Sequence, residues 1–176
     1  VINWDPIGDY IKKWEDFKFL DGVLEALRML SVAGYEIIII SNQAGIGDGK
    51  YDKKDLDEIT KNMEQAVRDH GAKIVGGYYC LHGKNEGCEC RKPEIGLFEQ
   101  AARDFSFVPG ETFFIGDKVS DIEAGKRFGL KTVMVLTGHG ALHKDKIDEN
   151  SKPDYIEDDL ISAVQLILGV QESKEA

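Results

Sequence analysis

An α/β fold on a doubly wound, mostly parallel sheet is what this 176-residue sequence predicts, and two observations carry it. Short β-branched runs alternate with stretches of helical period along nearly the whole chain. The first of those runs, Tyr35 to Ile40, is apolar at almost every position, which suits a strand covered by helices on both faces.

Taken in order, Asp21 to Ala33 sets Val23, Leu24, Leu27 and Leu30 on one helical face, and Gly34 ends it. The strand Tyr35 to Ile40 follows, with Ser41, Asn42 and Gln43 at its carboxyl end. Lys53 to His70 carries Leu56, Ile59, Met63 and Val67 at helical spacing and closes on Gly71. Ile74 to Tyr79 reads as a strand, Gly96 to Phe105 as a helix, Thr112 to Ile115 as a strand and Ser120 to Phe128 as a helix. A strand at Thr132 to Leu136, a short one at Tyr155 and Ile156, and a helix from Asp159 to Leu168 complete the series. The reading is one domain over residues 1–170 and a frayed tail over 171–176, with Lys144 to Asp154 merely polar.

Composition narrows the function. Hydrophobic residues are 42% and charged residues 31% of the chain, and no apolar run approaches the roughly 20 residues of a membrane span. With no membrane partner and no secretion-type N-terminus, the expected location is the cytoplasm. A net charge of −10 opposes broad binding to phosphate backbones, so no nucleic-acid partner is expected and any anionic substrate must be captured locally. The oligomeric state is not legible in the residues, with a monomer favoured.

In sheets of this class, ligands gather outside the carboxyl ends of the strands. Three such places stand out. Cys80, His82, Cys88 and Cys90 put four soft or borderline donors within eleven positions, and every cysteine of the chain is among them; the set suits a closed, structural, tetrahedral Zn²⁺ site. Arg91 and Lys92 come directly after that loop, and a compact ammonium is a natural partner for a phosphoryl oxygen. Gly116-Asp117-Lys118 closes an apolar strand, with Asp121 one turn on, and a carboxylate at Asp117 suits Mg²⁺ with water and a substrate phosphate. Each of the smaller motifs alone reads as a turn or a surface charge; hydroxyl, lysine and aspartate at three strand ends of one sheet point instead to a phosphorylated ligand.

The chain resembles the haloacid-dehalogenase-like (HAD) phosphatases, in the subfamily IIIA branch of heptose-bisphosphate and histidinol-phosphate phosphatases. The resemblance runs through Val1-Ile2-Asn3, Phe17 to Val23, Ser41-Asn42-Gln43-Ala44-Gly45-Ile46, Tyr78-Tyr79-Cys80, Cys90-Arg91-Lys92-Pro93 and Gly116-Asp117-Lys118. It implies a Rossmann-like HAD fold with a zinc-binding loop and no large cap domain. It also implies Mg²⁺-dependent hydrolysis of a small phosphorylated metabolite through an aspartyl-phosphate, with heptose 1,7-bisphosphate as the expected substrate and histidinol phosphate as the alternative. Asp117 would be a Mg²⁺ ligand, Ser41 and Lys92 would hold phosphoryl oxygens, and Arg91, Asn42, Lys118 and Asn3 would meet the substrate.

Two features depart from the family. Its Asp-x-Asp pair, nucleophile and acid/base, closes a first strand just before the position of Val1, so the resemblance puts both upstream of Val1. Asp5 and Asp9 lie beyond that strand end and do not replace them. Asp48 stands where the heptose-bisphosphate enzymes carry an arginine, so a second phosphate would meet a negative charge. Two other readings stay open: a zinc-stabilised phosphate-binding module without turnover, and a DNA 3′-phosphatase, against which the acidic balance counts.

Overall fold

The computed structural model describes residues 1–6 and 9–175, with the backbone alone over 170–175. Its elements alternate as the sequence predicts: α1 (Val23–Val32), β1 (Ile37–Asn42), α2 (Ala44–Gly47), α3 (Lys53–Asp69), β2 (Ile74–Cys80), α4 (Gly96–Asp104), β3 (Phe113–Gly116), α5 (Val119–Phe128), β4 (Lys131–Val135), α6 (Gly140–Lys144), β5 (Tyr155–Glu157) and α7 (Leu160–Glu175). α3 starts on a capping box in which Asp52 Oδ1 accepts from Lys54 N (2.7 Å) and Asp55 N (3.0 Å) while Asp55 Oδ2 accepts from Asp52 N (2.8 Å).

All strand pairs are parallel, but they form two sheets rather than one: β1 with β2, and β3-β4-β5. Strand alternation puts helices on both faces. Phe113 and Ile115 of β3 join Ile37 and the cluster of α1, α3 and α7 that holds Val23, Leu27, Leu30, Val67, Val164 and Ile167. Phe114, pointing the other way, packs with Ile40 against Phe98 of α4 and Ala124 of α5. Between the two sheets lies a cavity of about 1140 Å³, lined by Ile37 to Ile40 of β1 and Phe113 to Ile115 of β3.

The differences from the sequence reading are local. β1 begins later and runs on through Ser41 and Asn42, because Ser41 pairs with Tyr79 and Asn42 with Cys80. α7 continues past Leu168 to Glu175 where a tail was expected, over residues that include good helix formers such as Gln171, Glu172 and Lys174; Ala176 lies outside the described residues. α2 and α6 carry too few apolar residues to show a period, and the sequence reading has neither. Among the described residues no helix is long and apolar enough to cross a membrane.

Candidate active site

Lys92 is the structural centre of the site. Its Nζ donates to Ile40 O (2.7 Å), pairs with Asp121 Oδ1 (2.7 Å) and lies 5.1 Å from the ring centroid of Phe114. Lys92 and Asp121 are only 8% and 6% exposed, so each charge relies on the other. The backbone of Lys92 is clamped by Asn42: Lys92 N donates to Asn42 Oδ1 (3.0 Å), and Asn42 Nδ2 donates to Lys92 O (3.1 Å). The Asn42 amide, expected to meet substrate, thus joins the end of β1 to the lysine. Asp121 reaches in from the first turn of α5, where its Oδ2 also accepts from Asp117 N (3.3 Å) and Lys118 N (3.1 Å).

Asp117 follows β3 and is 8% exposed. Its Oδ2 accepts from His139 N (2.8 Å), while Oδ1 accepts no hydrogen bond among the described residues and lies 3.6 Å from the backbone nitrogen of Val1. Burial opposes ionisation of this carboxyl, while the His139 N–H and Lys118 favour it. A buried, ionised carboxylate with one oxygen open suits one inner ligand of Mg²⁺, the remainder being water, phosphate and other carboxylates. Gly138 has φ +63°, and a Cβ there would overlap Asp117 Oδ2. Gly138→Ala is therefore expected to cost about 1–3 kcal/mol in urea unfolding and to weaken Mg²⁺ dependence by displacing Asp117; wild-type stability and an unchanged Mg²⁺ titration would contradict this.

Around the mouth, Asp5 Oδ2 meets His139 Nε2 (2.8 Å) and Lys118 Nζ (3.7 Å), tying the N-terminal segment to the loops after β3 and β4. Lys118 therefore sits at the rim of the cavity. Asn3 lines the same cavity, although its amide donates to Trp4 O (2.8 Å) and its backbone bridges to Phe19. Arg91 also lines it, and Arg91 Nη1 is buried without a hydrogen-bond partner, a donor left for an anion. Asp48 accepts from Tyr10 Oη (3.3 Å) and Lys84 N (3.3 Å), so its charge is directed to the Cys/His loop.

Ser41 Oγ accepts from Gln43 Nε2 (3.0 Å), and Gln43 Oε1 accepts from Tyr51 Oη (2.5 Å). Sequence reasoning missed Tyr51, His139 and the Asp121–Lys92 pair, for which sequence spacing offers no signal.

The Cys/His loop is compact. Cys80 Sγ lies 3.6 Å from both His82 Nδ1 and Cys88 Sγ, His82 Nδ1 is 3.2 Å from Cys90 Sγ, and Cys90 Sγ is 3.5 Å from Cys88 Sγ. All four donor atoms fall within 4.8 Å of one another. The edge of a zinc–thiolate tetrahedron with 2.3 Å bonds is about 3.8 Å, so the donor set fits one Zn²⁺. Burial and the neighbouring thiols of Cys80 and Cys88 push the Cys90 thiol up to about 12, the crowding that a divalent ion relieves.

Residues 89–163 match the HAD-hydrolase-like family. The chain is 34% identical over 169 residues to a D-glycero-β-D-manno-heptose-1,7-bisphosphate 7-phosphatase of Pasteurella multocida, covering 92% of this chain and 90% of that one. It is 36% identical over 138 residues to the enzyme of the same name from Helicobacter pylori, covering 78% of each. Among solved structures, it is similar to the D,D-heptose 1,7-bisphosphate phosphatase of B. bronchiseptica complexed with magnesium and phosphate, with TM-score 0.90, 26% identity and coverage of 97% of this chain and 94% of that one. The D,D-heptose 1,7-bisphosphate phosphatase of Burkholderia thailandensis superposes with TM-score 0.72 at 27% identity, covering 96% and 92%.

Proposed function

Since this chain belongs to the HAD-like phosphatase family of the heptose-1,7-bisphosphate 7-phosphatases, we propose that it hydrolyses a phosphomonoester of a small sugar, with D-glycero-β-D-manno-heptose 1,7-bisphosphate as the substrate. The observation that carries this is the buried Lys92, fixed by Ile40 O and Asp121 in the cavity that Ser41 and Asp117 also line. An ammonium so held needs no reorganisation as negative charge builds on the transferring phosphoryl group. Ser41 donates to a second phosphoryl oxygen, and Arg91, with Nη1 unbonded, orients the rest of the substrate.

Asp117 would hold Mg²⁺, which when bound neutralises phosphoryl oxygens and aligns the phosphate with its nucleophile. The nucleophilic and acid/base aspartates belong, by the resemblance, to a strand before Val1. The apolar cavity between β1 and β3 supports that reading, because an extended segment there would pair with both sheets and deliver its carboxyl end beside Asp117. The Cys/His loop would hold Zn²⁺ in a structural role, keeping Arg91 and Lys92 in place.

The test is phosphate release by the full-length enzyme from heptose 1,7-bisphosphate, other sugar phosphates and histidinol phosphate, with and without Mg²⁺. Histidinol phosphate belongs in the panel because, by the resemblance, Asp48 stands where the heptose-bisphosphate enzymes carry an arginine. The expected result is Mg²⁺-dependent release that is fastest from the heptose bisphosphate. A folded, magnesium-loaded enzyme that releases none from any of these substrates would sink the proposal.

A further inference from the structure

We infer that Gln43 and Tyr51 are positioning residues that aim the hydroxyl proton of Ser41 at the phosphoryl group, which rests on the role read above for Ser41. The two contact lengths set the direction of the chain. At 2.5 Å, Tyr51 Oη to Gln43 has the length of an O–H···O bond and is shorter than an ordinary N–H···O bond, so the Gln43 atom facing the phenol is the carbonyl oxygen. The amide nitrogen then faces Ser41 at 3.0 Å, an ordinary N–H···O length, and Ser41 Oγ is the acceptor.

A hydroxyl that accepts from Gln43 keeps its own proton for another partner. Among the described residues Ser41 Oγ has no other hydrogen-bond partner, and Ser41 lines the same cavity as Lys92 and Asp117. With the amide reversed, Ser41 would spend its proton on the Gln43 carbonyl, and the phosphate would meet lone pairs instead of a donor. Tyr51 prevents that reversal. Burial, and secondarily the field of Tyr10, raise the Tyr51 phenol to about 12, so its proton stays on the oxygen as a donor.

The backbone holds the same arrangement. Gln43 N donates to Cys80 O (2.7 Å), anchoring the residue to the end of β2. Gly45 has no side chain at the place where a Cβ would overlap the Tyr51 ring, so the phenol can lie against α2 and reach Gln43. The ring of Tyr10 tilts against Tyr51 with centroids 6.0 Å apart, and Tyr51→Phe would keep that packing while deleting only the donor.

A double-mutant cycle in the full-length enzyme decides the matter, read by calorimetric binding of inorganic phosphate in the presence of Mg²⁺. Tyr51→Phe and Gln43→Met are each expected to weaken phosphate binding by about threefold to tenfold when Ser41 is present, and to have no further effect in the Ser41→Ala background. Equal losses with and without Ser41 would mean that the two residues serve packing alone and would overturn the inference, as would a wild-type enzyme that binds no phosphate. Turnover measured in parallel separates the two readings: an enzyme that binds phosphate and turns over no substrate refutes the phosphatase reading, while the cycle still decides the relay.

Discussion

Replacing Lys92 by methionine is expected to lower phosphate release by about 10²–10³-fold and to cost about 3–5 kcal/mol of folding stability. The two losses have different origins. The first removes the cation that Ile40 O and Asp121 hold in the cavity with Ser41 and Asp117. The second leaves the Asp121 carboxylate buried without its counter-charge, apart from the N–H groups of Asp117 and Lys118. Adding Asp121→Asn removes the stranded charge and keeps an acceptor for those N–H groups. The double variant is therefore expected to regain most of the stability and none of the activity, as read by urea unfolding and phosphate release. Restored activity in the double variant would show that Lys92 acts only by holding Asp121.

The second large effect concerns the Cys/His loop. The native protein is expected to carry one zinc per chain, and stripping it with a chelator should lower the thermal midpoint by about 8–16 °C, equivalent to about 4 kcal/mol for an ion present at a thousand times its Kd. Cys88→Ser should behave like the stripped protein. Gly83 and Gly87 leave the loop little side chain with which to pack, and four donors within 4.8 Å repel one another's ionised forms unless a cation joins them. Release of phosphate should fall with the metal, because Arg91 and Lys92 follow Cys90 directly. Metal analysis showing no zinc, or a midpoint indifferent to Cys88→Ser, would contradict this.

Where a function depends on neighbours in sequence, it is legible without coordinates. The four candidate metal donors sit within eleven positions, and Asp117 follows an apolar run whose end a reader can find. The alternation of strands and helices and the buried faces of α1 and α3 follow from period alone. The partnerships across the sheet do not. Asp121 reads as a helix-start carboxylate until Lys92, 29 positions earlier, is found 2.7 Å away. Asn42 reads as a substrate contact because its amide is polar and well placed, and only pairing shows both ends of it bound to the Lys92 backbone. Asp5 and His139 are 134 residues apart and have no local signal at all. α6 was missed for a simpler reason: Gly140-Ala141-Leu142-His143-Lys144 is too short and too mixed to display a helical face.

The cleft between the sheets also bears on how this protein avoids self-association. β1 gives one edge to β2, and β3 gives one edge to β4; the opposite edges have no strand partner among the described residues. The edge of β1 presents Ile37-Ile38-Ile39-Ile40, four β-branched residues without a charge or a proline, the kind of segment that recruits extended chains into cross-strand stacks. A strand seated in the cleft would satisfy the backbone groups of both edges at once. A segment seated there would then act as the molecule's guard against aggregation, and substitutions that loosen it should show themselves as poor solubility before they show themselves as slow turnover.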